Sequence, residues 1–144
     1  MLKKILYSLL LTILLISSCT SEEITYTPPA IEKDWSMRMI QTGGIAGVNR
    51  AVEVLSDGSY TVYQQAGGEE IQGQLTEAEL AELEKLIASL EIASLQTKTI
   101  CADCFEYDIE IQSGGRKMIL DLDDLTLPDS GAGELVAFLL KLFG

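Results

Sequence analysis

The sequence predicts an α+β domain in which an antiparallel sheet of about five strands carries two helices on one face. Short runs with an apolar residue at every second position, separated by glycine-containing turns, are typical of antiparallel strands. Two later segments instead repeat aliphatic residues at helical spacing. The predicted order is β-β-β-α-β-β-α, within a domain that spans residues 34–144.

The first three strands are predicted to form an antiparallel meander. Apolar and polar residues alternate over residues 35–40 and again over residues 48–55. The pair Asp57-Gly58 predicts a tight turn, and a third short run follows at residues 59–63. Residues 64–74 are polar and glycine-rich, which predicts a loop.

A helix is predicted to begin at Thr76. Thr76 and Glu79 have the spacing of a capping box, in which each side chain accepts from the other residue's backbone amide. The apolar residues that follow lie on one stripe and predict the face toward the core: Leu80, Leu83, Leu86, Ile87 and Leu90.

Two further strands and a second helix complete the predicted domain. Residues 105–111 alternate between apolar and charged side chains and predict a strand. Gly114-Gly115 predicts a turn, and residues 118–122 form a second alternating run that predicts the next strand. After Pro128 and a turn at residues 129–131, a short helix carries an apolar stripe that can cover the sheet: Leu135, Val136, Leu139 and Leu142.

The composition excludes several kinds of function. The chain has a formal charge of −12 and contains no histidine, which excludes Ser-His and Cys-His catalysis and most zinc sites. An acidic chain without a basic patch is a poor partner for nucleic acid, because phosphate binding depends on Lys and Arg. We therefore predict no nucleic-acid partner.

Two acidic groups are candidates for metal binding or acid–base chemistry. The group near the last turn lacks the ligand alternation and glycine of a calcium loop. The group on the fourth predicted strand is too like-charged for an acid/base pair without a cation. We predict that the first group is a solvated acidic edge, and that the protein has no metal, no cofactor and no enzymatic activity. The groups are Asp121, Asp123, Asp124 and Asp129, and Glu106, Asp108 and Glu110.

The N-terminus has the features of an export signal. Lys3 and Lys4 precede an apolar run of signal-peptide length. It ends in Leu15-Ile16-Ser17-Ser18-Cys19, which resembles a bacterial lipobox. The resemblance implies a signal peptide at residues 1–18 and a Cys19 that carries acyl chains such as palmitate, which hold the protein on a membrane. The alternative is a plain secretory peptide that leaves Cys19 as an ordinary thiol.

Residues 19–33 are predicted to form the acylated cysteine and a tether, because they are mostly polar and contain Pro28-Pro29. We expect the domain to lie in the cell envelope, facing the periplasm or the exterior.

The pair Cys101 and Cys104 has the Cys-x-x-Cys spacing of thiol oxidoreductases. In those folds a helix follows the motif, whereas here a strand is predicted to follow. In an exported protein a local structural disulfide is the favoured interpretation. Redox activity, free thiols and metal binding stay open as alternatives.

A glycine-rich loop joins the first two predicted strands: Gly43, Gly44, Ile45, Ala46 and Gly47. Glycine adopts backbone angles closed to other residues and lets another chain approach closely. Two interpretations are open. Ile45 folds back onto the core as part of an ordinary hairpin, or it projects and contacts a partner.

Residues 39–50, a strand followed by this loop and a second strand with an early Arg50, resemble the emfourin (protealysin inhibitor) family. The later helix, the segment 104–111, the glycine turn and the C-terminal helix agree with the resemblance, which covers residues 35–143. It implies inhibition of thermolysin-like zinc metalloproteases, with the loop 43–47 as a candidate protease contact. The lipobox and the Cys101/Cys104 pair are departures that leave the target protease open.

Three hypotheses follow. The first is a lipid-anchored metalloprotease inhibitor, the second a non-inhibitory envelope module that binds another protein, and the third an exported thiol oxidoreductase. Because the chain has no histidine, and because we expect no cysteine near the loop, we expect no inhibition by chelation of zinc through a soft side chain.

Overall fold

The computed structural model describes residues 31–65, 68–90 and 101–144. The predicted signal peptide, Cys19 and most of the predicted tether lie outside these ranges. In the described ranges the chain forms six strands and two α-helices: β1 (Trp35–Gly43), β2 (Val48–Leu55), β3 (Ser59–Tyr63), β4 (Glu70–Gln74), α1 (Glu77–Ala88), β5 (Phe105–Ser113), β6 (Arg116–Asp123) and α2 (Gly133–Lys141). A short 3-10 turn, Leu127–Asp129, precedes α2.

The six strands form one antiparallel sheet in the order β4-β3-β2-β1-β5-β6. Strand β1 is central, because it pairs with β2 on one side and with β5 on the other. The α+β class and the predicted order of strands and helices are confirmed, with one additional strand.

The additional strand, β4, lies in the segment predicted as a loop. It pairs with β3 along its whole length, with Gly73 opposite Tyr60. A Cβ on Gly73 would overlap the Tyr60 ring, so the ring occupies the space that a side chain would take. The strand is an exposed edge and carries no apolar alternation, which is why its pattern resembles a loop.

One face of the sheet carries the core. Met39, Val52 and Ile109 are cross-strand neighbours on β1, β2 and β5, and each is at most 1% exposed. Helices α1 and α2 cover this face and contribute buried side chains to the same cluster: Leu83, Ile87, Leu135, Val136, Phe138 and Leu139. The predicted alternation in the strands and the predicted aliphatic stripes on the helices are confirmed at these positions.

Local signals set the ends of the elements as predicted. The Thr76 hydroxyl accepts from the Glu79 amide, and the Glu79 carboxylate accepts from the Thr76 amide at 2.8 Å, which completes the capping box. Gly114 and Gly115 have φ angles of +57° and +73°. Two successive left-handed residues are typical of the two-residue turn that matches strand twist.

The packed domain includes the end of the predicted tether. Ile31 packs against the core, and the Glu32 amide donates to the Ser113 hydroxyl at 2.8 Å. None of the helices in the described ranges has the length and apolar character needed to cross a bilayer.

Candidate interaction site

The glycine loop is a tight connection between β1 and β2. Gly43, Gly44 and Gly47 have φ angles of +94°, +68° and +62°. These values lie in the left-handed region that glycine tolerates and other residues avoid. The Gly47 amide donates to the Gly44 carbonyl at 3.0 Å and closes the turn. The glycines therefore define the path of the loop.

Ile45 projects from the tip of this loop. Its side chain is 92% exposed, and Ala46 beside it is also exposed. The interpretation in which Ile45 folds back onto the core is therefore wrong. A single exposed apolar residue is common on protein surfaces and does not by itself define a site. This loop differs from an ordinary exposed turn because its backbone is held by contacts with a neighbouring segment.

The loop lies directly against the segment that precedes β5. The Gly44 amide donates to the Cys104 carbonyl oxygen at 3.1 Å. A Cβ on Gly43 would overlap that same oxygen, and a Cβ on Gly44 would lie 2.6 Å from the Phe105 ring. Glycine is thus required at both positions by close approach as well as by backbone conformation.

Cys101 and Cys104 are joined by a disulfide, with their Cα atoms 5.5 Å apart. The expectation that no cysteine lies near the glycine loop is wrong in three dimensions, because the pairing of β1 with β5 places Gly43 opposite Phe105. Both sulfurs are bonded to each other, and a metal ligand must be a thiolate. In the described residues, no group of three or more His, Cys, Asp or Glu could hold a metal ion.

Asp124 connects the turn after β6 to the start of β5. Its carboxylate accepts from the Phe105 amide at 2.8 Å and from the Tyr107 hydroxyl at 3.0 Å. The Asp124 amide donates to the Phe105 carbonyl at 3.1 Å. These three bonds fix the segment on which Gly44 rests.

The preceding residue, Asp123, is 2% exposed. Its carboxylate accepts from the amides of Leu125 and Thr126 at 3.0 and 2.8 Å and from the Thr126 hydroxyl at 3.0 Å. The prediction of a solvated acidic edge holds for the exposed Asp121, Asp124 and Asp129 but is wrong for Asp123. A carboxylate that accepts several hydrogen bonds from the next few residues stabilises a turn.

A polar row crosses the sheet beneath the loop. Gln41 is 3% exposed and lies between Arg50 on β2 and Tyr107 on β5. Arg50 Nε donates to Gln41 Oε1 at 2.7 Å, and its guanidinium lies 4.1 Å from the centre of the Phe143 ring. A cation over an aromatic face is stabilising. The C-terminus of the domain thereby contacts the loop's supporting strands.

Tyr107 is the residue whose ionisation is most altered in this row. Burial, followed by the hydrogen bond to Asp124 and the negative charge of that carboxylate, raises the pKa of Tyr107 to about 12. A hydrogen bond from Gln41 and the charge of Arg50 act in the opposite direction. The phenol is therefore neutral at physiological pH and donates to Asp124.

Sequence reasoning missed this row, although one signal was present. Trp35, Met37 and Met39 occupy alternate positions on the core face, and Gln41 is the next position in the same series. A polar residue at a core position requires partners. Those partners come from strands distant in sequence and are not readable from the pattern.

Comparison with protein-family models gives no match, and a search of curated proteins finds no match to the chain. The resemblance to emfourins therefore rests on the residues quoted above and stays a prediction. The described geometry presents an apolar tip on a well-supported backbone, which is suited to insertion into a concave partner surface with a small ordering cost.

Proposed function

We propose that this protein is a lipid-anchored inhibitor of thermolysin-like zinc metalloproteases that inserts the glycine loop, residues 43–47, into the protease cleft. The observation that carries the proposal is the 92% exposure of Ile45 at the tip of a loop held by Gly44 and Cys104. The protease class comes from the resemblance of residues 39–50 to the emfourin family.

The loop's support favours tight binding over loose contact. A loop that is already ordered in the free protein loses little conformational entropy when it binds. Full burial of an isoleucine side chain contributes about 1.5–3 kcal/mol, or roughly a 10- to 150-fold change in affinity. Ile45 is therefore expected to be a principal contact.

The proposed location follows from Cys19. Acylation of that residue would hold the inhibitor at a membrane surface in the cell envelope, where two or three acyl chains give stable attachment. The target is then a metalloprotease that reaches the same compartment. The protein binds the membrane itself only through the acyl chains.

The test is inhibition of thermolysin and a close relative by the full chain in mild detergent. Wild type is compared with Ile45→Asp and with Ile71→Asp, in which the same charge replaces a 48% exposed isoleucine on the outer strand β4. We expect Ile45→Asp to weaken inhibition strongly and Ile71→Asp to leave it unchanged. Equal inhibition by all three proteins would exclude the loop as the contact.

A second candidate function is a non-inhibitory envelope module that binds another protein. It is favoured by the sheet face opposite the helices, where exposed Arg38 lies between Glu53 and Glu110 in register. In the described part of the chain no helix covers that face. Capture of a non-protease partner that is lost on Arg38→Asp, without any protease inhibition, would favour this function.

A further inference from the structure

We infer that the protease-contacting surface extends from the glycine loop to the turn after β6, where Leu125 provides a second apolar contact. The inference rests on the proposed function and adds a residue that determines affinity. Leu125 is 59% exposed. It follows β6 by two positions, in a turn that the resemblance to emfourins does not single out.

The glycine loop and the Leu125 turn leave the sheet at the same end. Gly43 at the end of β1 pairs with Phe105, and Glu106 pairs with Asp123 at the end of β6. Only β5 separates β1 from β6. The axes of the two strands are therefore about 10 Å apart at neighbouring-strand spacing.

The two segments are fixed to each other through the start of β5. Cys104 accepts from the Gly44 amide on one side. Phe105 exchanges two hydrogen bonds with Asp124 on the other, donating at 2.8 Å and accepting at 3.1 Å. The loop that carries Ile45 and the turn that carries Leu125 are thus hydrogen-bonded to the same short segment, Cys104 and Phe105.

The exposure of Leu125 follows from how its turn is built. Its amide donates to the buried Asp123 carboxylate at 3.0 Å, and the next residue, Thr126, is 7% exposed. The turn buries Asp123 and Thr126 and leaves Asp124 and Leu125 exposed. A single exposed leucine is common on protein surfaces. Leu125 is distinguished by its place in a turn that is hydrogen-bonded, through Asp124 and Phe105, to the segment that supports the glycine loop.

These positions define the kind of partner that fits. It is a protein with two apolar recesses, one for the tip of the β1–β2 loop and one for the turn after β6, two segments that leave the sheet at the same end. A protease with a cleft and an apolar rim has that form: Ile45 enters the cleft, and Leu125 contacts the rim. Because both contacts are held by the same hydrogen-bonded segment, binding of the second contact costs little additional conformational entropy.

The test compares Leu125→Ser with Leu55→Ser in the full chain, using thermolysin as the probe. Leu55 is a matched control, because it is 43% exposed and lies opposite Ser36 at the other end of the sheet. We expect Leu125→Ser to raise the inhibition constant about tenfold and Leu55→Ser to change it less than about twofold. Thermal melting of both variants checks that they are folded.

Hydrogen exchange of the wild-type complex gives a second measurement that does not depend on a variant. We expect amides of residues 44–47 and 124–126 to exchange more slowly when the protease is bound. Protection confined to the glycine loop, or Leu125→Ser behaving like Leu55→Ser while Ile45→Asp weakens inhibition, would overturn this inference and leave the proposed function standing. Absence of inhibition by folded wild type would overturn both.

Discussion

The Gly44 amide donates a 3.1 Å hydrogen bond to the Cys104 carbonyl oxygen. The bond joins the β1–β2 loop to the disulfide loop before β5, two segments that are distant in sequence. It exists because β1 pairs with β5 and sets Gly43 opposite Phe105. The predicted contact loop and the predicted disulfide therefore form one structural unit.

Gly43→Ala and Gly47→Ala are predicted to differ in stability, although both glycines have positive φ. A Cβ at residue 43 would overlap the backbone carbonyl of Cys104, whereas a Cβ at residue 47 meets no atom within 4 Å. We expect Gly47→Ala to lower the free energy of unfolding by about 1 kcal/mol, from backbone strain alone, and Gly43→Ala to lower it by more than about 2 kcal/mol. Chemical denaturation measures both, and equal losses would contradict the close contact.

Removal of the disulfide is predicted to loosen the glycine loop without unfolding the domain. In the double variant Cys101→Ser, Cys104→Ser the Gly44 amide loses a fixed acceptor, so its hydrogen exchange accelerates and inhibition weakens. Closing so short a loop contributes about 2 kcal/mol to stability. Serine variants are preferable to a thiol reductant, which would itself bind the protease zinc. Unchanged exchange at Gly44 would show that the disulfide does not support the loop.

Asp124→Ala is predicted to destabilise the site from the other side. The change leaves the Phe105 amide and the buried Tyr107 hydroxyl without their acceptor, and an unsatisfied buried donor costs about 1–3 kcal/mol. Asp129→Ala is the control, because Asp129 is exposed and a surface change is expected to stay within about 0.5 kcal/mol. Denaturation curves that coincide for the two variants would contradict the structural role of Asp124.

The stability of the domain is predicted to fall at alkaline pH through Tyr107. Its pKa is raised from 10.0 to about 12 in the folded protein, so the unfolded chain loses this proton first. The neutral Tyr107 phenol therefore contributes to the free energy of unfolding in full below pH 10, and this contribution is lost as the pH rises from about 10 through about 12. Unfolding free energies measured from pH 9 to 12 should therefore decline less steeply for Tyr107→Phe than for wild type. Parallel curves would show that the pKa of Tyr107 is not raised.

The elements with local signals could be predicted from the sequence. Helix α1 is marked by the Thr76 capping box and a leucine stripe, and β1 and β5 are marked by alternation that burial confirms. The glycine loop could be singled out because three glycines permit backbone angles and close approaches that other residues do not. The direction of Ile45 could not, since the same residues fit an inward or an outward side chain.

What the sequence could not predict depends on contacts between distant segments. Strand β4 has no alternation of its own and is accommodated by the Tyr60 ring over Gly73. The sequence pattern does not show that Asp123 is buried in a turn with Thr126, or that the exposed Asp124 accepts from the Phe105 amide. The support of the glycine loop by Cys104 depends on the β1–β5 pairing, which no local pattern encodes.

The most direct test of the central claim is the inhibition constant of the full chain for thermolysin, measured beside Ile45→Asp and Ile71→Asp. We expect wild type and Ile71→Asp to inhibit, and Ile45→Asp to inhibit at least about tenfold less tightly, since a charge would replace the buried isoleucine in the complex. Absence of inhibition by folded wild-type protein, or inhibition that Ile45→Asp leaves unchanged, would contradict it.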